Sequence, residues 1–125
     1  MRVVFVVLTF LLSLGAAHAA KVVASGRPLN LYHAYAINPD CTSAGAIIVR
    51  IEQAPAHGRV TVRHTGVFPN FPESNPRSAC NRRRVPGVQV VYVSQRGYLG
   101  PDLVVLVVLF PAGQGVRVRV PIRVM

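Results

Sequence analysis

Apolar and polar residues alternate along several short stretches of the chain, with the two-residue period of half-buried β-strands. The alternation is strictest in residues 116–124, where apolar side chains occupy one face and arginines occupy most of the other. Residues 103–110 are apolar throughout. That run predicts a central strand covered on both faces, and it is too short to cross a membrane.

The other predicted strands are short and are separated by turn-forming residues. They comprise residues 21–24, 30–37, 44–53, 59–65 and 88–93. In the second of them, alternation assigns four side chains to one face: Leu31, His33, Tyr35 and Ile37. The strands on either side of the turn at residues 54–58 are predicted to pair as a hairpin.

About seven short strands, with no helical pattern after residue 20, predict an all-β fold of the β-sandwich type. Residues 20–125 have the length of a single domain. Pro121 has no backbone N–H to donate, which predicts an edge position for the strand around it.

Residues 1–19 have the three parts of a cleavable signal peptide: a positive start, an apolar run and the small-residue site Ala17-His18-Ala19. The apolar run, residues 3–14, is shorter than a membrane-spanning helix. The sequence therefore predicts a signal-peptide helix, and a mature protein that is periplasmic or secreted and has no transmembrane segment.

The two cysteines, Cys41 and Cys80, both lie after the predicted cleavage site. In an oxidising compartment an even pair of this kind predicts a disulfide.

Residues 66–87 form a segment without periodicity that is long for a loop in a compact domain. It is rich in proline and arginine, and the predicted disulfide would fix its second half at Cys80.

Residues 55–60 (PAHGRV), Tyr92 and residues 97–102 (GYLGPD) carry motifs that resemble those of bacterial cadherin-like, immunoglobulin-like domains. The resemblance covers residues 47–124. It implies an immunoglobulin-like β-sandwich of about seven strands, which the family uses for adhesion or as a spacer in exported proteins. The whole chain also resembles small exported proteins of alphaproteobacteria that carry this module alone and have no defined activity. Phe110-Pro111 replaces the acidic residue that the family places before its last turn, so the resemblance implies no calcium site.

Five residues of this motif are interpreted as structural: Tyr92, Gly97, Tyr98, Gly100 and Asp102. The glycines permit the backbone angles of a tight corner, and Asp102 is expected to cap that corner by accepting amide hydrogens.

The charge is strongly unbalanced, with fourteen Lys and Arg residues against four Asp and Glu. A surface this basic favours polyanions, and arginine suits phosphate and carboxylate groups. The anion-binding candidates are Arg82, Arg83, Arg84, Arg117, Arg119 and Arg123. The alternative is a solvated arginine face without a ligand.

Catalytic patterns are missing from the sequence. The three histidines after the predicted cleavage site, His33, His57 and His64, have neither the spacing of metal ligands nor a nucleophile motif beside them. The chain is therefore predicted not to be an enzyme, and neither a metal nor a cofactor is expected.

The function predicted from the sequence is that of a non-enzymatic binding or interaction module. Its predicted partner is an anionic envelope glycan or lipid, or a protein. Nucleic acid is disfavoured by export and by the lack of stacking aromatic residues in the arginine-rich segments. The alternative is a small secreted hydrolase, or a hydrolase inhibitor, that uses residues 66–87.

Overall fold

The computed structural model describes residues 19–125, so the predicted signal-peptide helix lies outside the described residues. This part of the chain contains seven strands and one short 3-10 helix. The strands are β1 (Lys21–Val23), β2 (Pro28–Tyr35), β3 (Ile48–Gln53), β4 (Gly58–Val67), β5 (Val85–Ser94), β6 (Gly100–Leu109) and β7 (Gly115–Val124). The 3-10 helix, Ser78–Arg82, lies between β4 and β5. No helix within the described range has the length and apolar character needed to cross a membrane.

The strands form two sheets. Strands β1, β7, β6 and β3 lie in that order in a four-stranded sheet, and β2, β5 and β4 form a three-stranded sheet. All neighbours are antiparallel except β1, which runs parallel to the last three residues of β7. The all-β prediction and the number of strands are confirmed.

The inner faces of the two sheets pack against each other and form the core. Leu31, Val90 and Tyr92 from the three-stranded sheet are buried against residues such as Leu106 and Ile122 from the four-stranded sheet. Burying apolar side chains of this size contributes about 1.5–3 kcal/mol each. The two-residue alternation therefore places its apolar positions between the sheets, as the sequence predicts.

Strand β6 has the central position predicted from its unbroken apolar run, between β7 and β3. Val104, Leu106 and Val108 are buried in the core, and Val105, on the opposite face, is also only 2% exposed. Pro121 lies just before the segment of β7 that β1 covers, where one side of β7 is still open. The edge prediction therefore holds at Pro121 but not for the end of β7.

The predicted hairpin around residues 54–58 is wrong. Strand β3 pairs with β6 in the four-stranded sheet, whereas β4 pairs with β5 in the three-stranded sheet. The turn carries the chain from one layer to the other. Local alternation is the same for a hairpin and for such a crossing, so it could not distinguish them.

The predicted placing of Leu31, His33, Tyr35 and Ile37 on one face of the second strand is also wrong, because Leu31 and Ile37 are buried whereas His33 is exposed. The register with β5 shifts between Asn30 and Tyr32, which marks a β-bulge. Leu31 and Ala34 are therefore the buried side chains of this strand, and His33 is exposed. An inserted residue reverses the faces of all residues that follow it.

The disulfide between Cys41 and Cys80 is confirmed, with a Cα–Cα distance of 5.7 Å. Cys80 is completely buried in a small cluster with Ile37, Val67 and Val85, which lies where β4 ends and β5 begins. The long loop, residues 68–84 between β4 and β5, is thus joined covalently to the segment that connects β2 and β3.

Replacing both cysteines by alanine is expected to lower the free energy of unfolding by about 4 kcal/mol, since the bond closes a loop of 39 residues in the unfolded chain. Urea unfolding of the Cys41→Ala/Cys80→Ala protein measures this loss. Reduction of the wild-type protein should lower the midpoint similarly while leaving the double variant unchanged. Equal stability of the oxidised wild type and the variant would contradict the prediction.

Candidate functional site: an arginine face

A face rich in arginine covers the outside of the four-stranded sheet. In β7, Val120, Ile122 and Val124 point into the core, and the alternate residues therefore point outward. Three of those are exposed arginines: Arg117, Arg119 and Arg123. Residues two apart on a strand are separated by about 7 Å, so the predicted β7 arginines form one row.

The pairing register adds a fourth arginine, which is not among the candidates predicted from sequence. Arg50 in β3 lies opposite Val107 in β6, and Val107 lies opposite Arg117 in β7. Side chains of directly paired residues share a face. Arg50 therefore lies about 10 Å from Arg117, across the central strand. We call Arg50, Arg117, Arg119 and Arg123 the arginine face.

Little of this positive charge is neutralised within the fold. Among residues 19–125, the one ion pair joins Nε of Arg117 to the carboxylate of Glu52 at 2.9 Å. Both side chains are well exposed, so the pair contributes at most about 1 kcal/mol. Asp102 is buried, and the Asp40 carboxylate accepts hydrogen bonds from Thr42.

The other three predicted arginines lie on the long loop and have a different character. Arg83 donates a hydrogen bond to the backbone oxygen of Asp40, at 3.1 Å. Arg84 donates one to the oxygen of Gly66, at 3.3 Å, and its guanidinium lies 5.2 Å from the centre of the Phe68 ring. These two side chains therefore help to hold the loop, while Arg82, at the end of the 3-10 helix, is exposed.

The six predicted arginines thus belong to two different surfaces. One surface is a flat sheet face, and the other is a loop that the disulfide holds against the β2–β3 connection. The arginine face combines charges from two strands far apart in sequence. Only the sheet register brings Arg50 to it, and no local motif marks Arg50 in the sequence.

Behind the arginine face, the buried carboxylate of Asp102 joins elements from both sheets. Tyr92 in β5 donates its hydroxyl hydrogen to this carboxylate at 2.7 Å. The backbone amides of Ala56 and His57 donate to it at 2.9 and 3.1 Å, and the amide of Leu103 donates at 2.9 Å. All four bonds together satisfy a carboxylate that is only 8% exposed.

The protonation of Asp102 and Tyr92 reflects this arrangement. Burial raises the pKa of the Asp102 carboxyl, but the hydrogen bonds outweigh burial and hold its pKa below the ordinary value. Burial, followed by the hydrogen bond to Asp102, raises the pKa of the Tyr92 hydroxyl. The carboxylate is therefore ionised and the phenol is neutral near neutral pH.

The predicted turn motif is only partly local. Gly97 and Gly100 have positive φ angles, as a tight corner requires, and Tyr98 donates its hydroxyl hydrogen to the Pro101 oxygen. Asp102, however, does not cap that corner as expected. It caps the turn between β3 and β4, about 45 residues earlier in the chain, where His57 stacks on Tyr98 at 3.9 Å.

The three histidines among residues 19–125 lie apart. His33 is exposed on β2, His57 lies on Tyr98, and His64 lines a cavity of about 400 Å³ together with Ser43. The Ser43 hydroxyl donates to the Gly45 oxygen, and the residues that line this cavity include no acid that could orient His64. Across residues 19–125, no group of three His, Cys, Asp or Glu side chains is placed to hold a metal ion.

No protein-family model matches the sequence, and no curated protein sequence matches it. Among solved structures, the solution structure of amebosin is similar, with a TM-score of 0.47 and 14% sequence identity. The similarity covers 85% of this chain and 88% of that chain. A likeness of this size carries no argument about function.

We predict that acid destabilises the fold through Asp102. A carboxyl whose pKa is lower in the folded state than in the unfolded state stabilises the protein above about pH 4. That stabilisation is lost as the pH falls through the folded-state pKa. Asp102→Asn should lower the free energy of unfolding at pH 7 by about 2–4 kcal/mol. The reason is that the NH2 group of the asparagine would face the His57 N–H and could not accept its hydrogen bond. It should also weaken the dependence of stability on pH between pH 5 and pH 2.

Urea unfolding across this pH range measures both effects. Asp40→Asn is the matched control, because the pKa of the exposed Asp40 is also lowered, by its bond with Thr42. The control should remain close to wild type at pH 7. If Asp102→Asn kept the full acid sensitivity, the carboxylate would not have the role assigned to it.

Proposed function

We propose that residues 20–125 form an exported, non-enzymatic binding module of the immunoglobulin type. In this proposal the arginine face binds the phosphate or carboxylate groups of anionic envelope glycans or lipids. The single observation that carries the proposal is the arrangement of four exposed arginines on one sheet face, of which one, Arg117, is paired with a carboxylate, that of Glu52. A flat basic surface of this kind attracts extended anionic partners.

The strand order supports the immunoglobulin type. In that fold the second, fifth and fourth strands form one sheet, and the third, sixth and seventh form the other. The described sheets have this order, β2-β5-β4 and β7-β6-β3, and β1 joins the second sheet beside β7. The cadherin-like resemblance of residues 47–124 remains a prediction from sequence.

Export is supported by chemistry independent of the N-terminal segment. Disulfides persist in oxidising compartments and are rare in the cytosol. Cys41 and Cys80 form one, so the fold is suited to the periplasm or to the outside of the cell. In either place the accessible anionic partners are glycans and lipid headgroups rather than nucleic acid.

The geometry of the arginine face favours an anionic surface over a second copy of the same chain. Two such faces placed together would oppose arginines to arginines, and like charges at close range repel. An anionic glycan or a layer of lipid headgroups instead matches the row on β7 and the charge of Arg50 across β6.

We expect Arg119→Ser/Arg123→Ser to weaken binding to vesicles containing phosphatidylglycerol by about 30-fold, because each arginine near an anionic membrane surface contributes about 1 kcal/mol. Vesicle co-sedimentation at a fixed low salt concentration measures the affinity, and heparin binding tests a polysaccharide. Binding of both should decrease as salt increases.

The matched control is Arg59→Ser/Arg63→Ser in β4. It removes the same charge, with the same spacing, from an exposed strand of the other sheet. This control should lose markedly less affinity than the β7 variant. Equal losses of affinity in the two variants would mean that binding depends only on the net charge of the protein, which contradicts a specific role for the arginine face. Absence of binding at low salt would overturn the proposal.

A further inference from the structure

We propose a second, separate site: a groove at one end of the sandwich that binds a small apolar carboxylate. The groove has a volume of about 460 Å³ and lies between the long loop, the end of β2 and the β6–β7 turn. Pockets of this size accommodate small-molecule ligands. The arginine face plays no part in this site.

Aromatic side chains form much of the groove wall. Tyr35, Phe71 and Phe110 line it, together with small apolar residues. The rings of Tyr35 and Phe71 meet edge to face, with their centroids 5.2 Å apart. Such a lining takes up an apolar body through burial of its surface, and it gives the ligand a hydrocarbon or aryl part.

One charged side chain, Arg77, lines the groove, and no acidic residue does. Nε of Arg77 donates to the backbone oxygen of Ile37 at 2.7 Å, which fixes the guanidinium. Within residues 19–125, the two terminal nitrogens of Arg77 have no hydrogen-bond partner. A guanidinium held in this way presents two parallel donors, which match a carboxylate.

The groove wall on the long loop is held in place before any ligand binds. The side-chain amide of Asn81 forms two hydrogen bonds with the backbone of Phe71, at 2.8 and 2.9 Å. The backbone amide of Arg77 donates to the side chain of Asn75 at 2.9 Å. The Cys41–Cys80 bond then joins this loop to the segment after β2. A wall that is already rigid reduces the conformational entropy that the protein loses when a ligand binds.

The opposite wall depends on a close approach of two backbone segments. Gly45 has a φ of +137°, and a Cβ there would lie 2.6 Å from Cβ of Pro111. Only glycine permits this approach, which brings Ala44 beside Pro111 at the groove.

These features together select the chemical class of the ligand. An apolar, partly aromatic groove with one fixed cation and no acid disfavours a cation, and a neutral molecule would bind Arg77 more weakly than a carboxylate does. A monocarboxylate with an alkyl or aryl body satisfies both parts. Octanoate and phenylpropanoate are suitable probes of this class.

The test is a titration of the ¹⁵N-labelled protein, residues 20–125, followed by amide chemical shifts. Octanoate should produce saturable shifts at Ala36, Ile37, Phe71 and Ala112. Its affinity should exceed that of 1-octanol by about tenfold or more, the usual gain from a charged hydrogen bond. Octylammonium should bind more weakly than octanol.

Ala112→Glu and Ala112→Gln test the charge requirement without disturbing the core, because Ala112 is exposed on the β6–β7 turn. The glutamate should weaken octanoate binding by about fivefold to tenfold through repulsion. The glutamine, which has the same size, should leave it within about twofold. The two variants should have equal effects on octanol binding.

Arg77→Gln should reduce the affinity for octanoate to that for octanol while leaving octanol binding unchanged, which shows at the same time that the groove is intact. Equal affinities of wild type for octanoate and octanol would overturn the proposal. So would octanoate shifts confined to the arginine face, or equal effects of Ala112→Glu and Ala112→Gln. None of these outcomes bears on vesicle binding by the β7 arginines.

Discussion

The buried carboxylate of Asp102 is the polar interaction on which the arrangement of the two sheets depends. It lies on β6 in the four-stranded sheet and accepts a hydrogen bond from Tyr92 on β5 in the other sheet. It also binds the amides of Ala56 and His57, in the turn that carries the chain between the layers. A charge removed from water is stable only when its hydrogen bonds are satisfied. This requirement fixes the end of the sandwich, because any shift of one sheet against the other would break at least one of these bonds.

The disulfide has the corresponding role at the opposite end. Among residues 19–125, no charged side chain is buried at this second end of the sandwich, which instead carries a small apolar cluster around Cys80. The covalent bond and the polar contacts of Arg77 and Arg83 hold the long loop against the β2–β3 connection. A segment that is rich in proline and has little regular structure thereby becomes a defined wall. The two proposed binding surfaces follow from two different constraints: the sheet register positions the arginine face, and the loop contacts position the groove.

The two proposed binding surfaces suit different anions. The arginine face is flat and exposed, and its charges are spread over two strands, which suits an extended polymer or a membrane surface. The groove has one fixed guanidinium and an aromatic lining, which suits one small molecule. Sequence composition alone treats all arginines as equivalent. In the fold, Arg83 and Arg84 donate hydrogen bonds to backbone oxygens, whereas the side chains of Arg119 and Arg123 are exposed to solvent.

The sequence by itself determined the features that depend on neighbouring residues and on solvent. Alternation predicted the strands, the apolar run predicted the central position of β6, and the pair of cysteines predicted their bond. Each of these follows from local burial or from the chemistry of a residue type. Only the tertiary structure decided which sheet each strand joins, where β2 bulges, which turn Asp102 caps, and that Arg50 and Arg77 belong to candidate sites. These depend on contacts between residues far apart in the chain, and the two-residue period carries no information about the partner across the sheet or the layer.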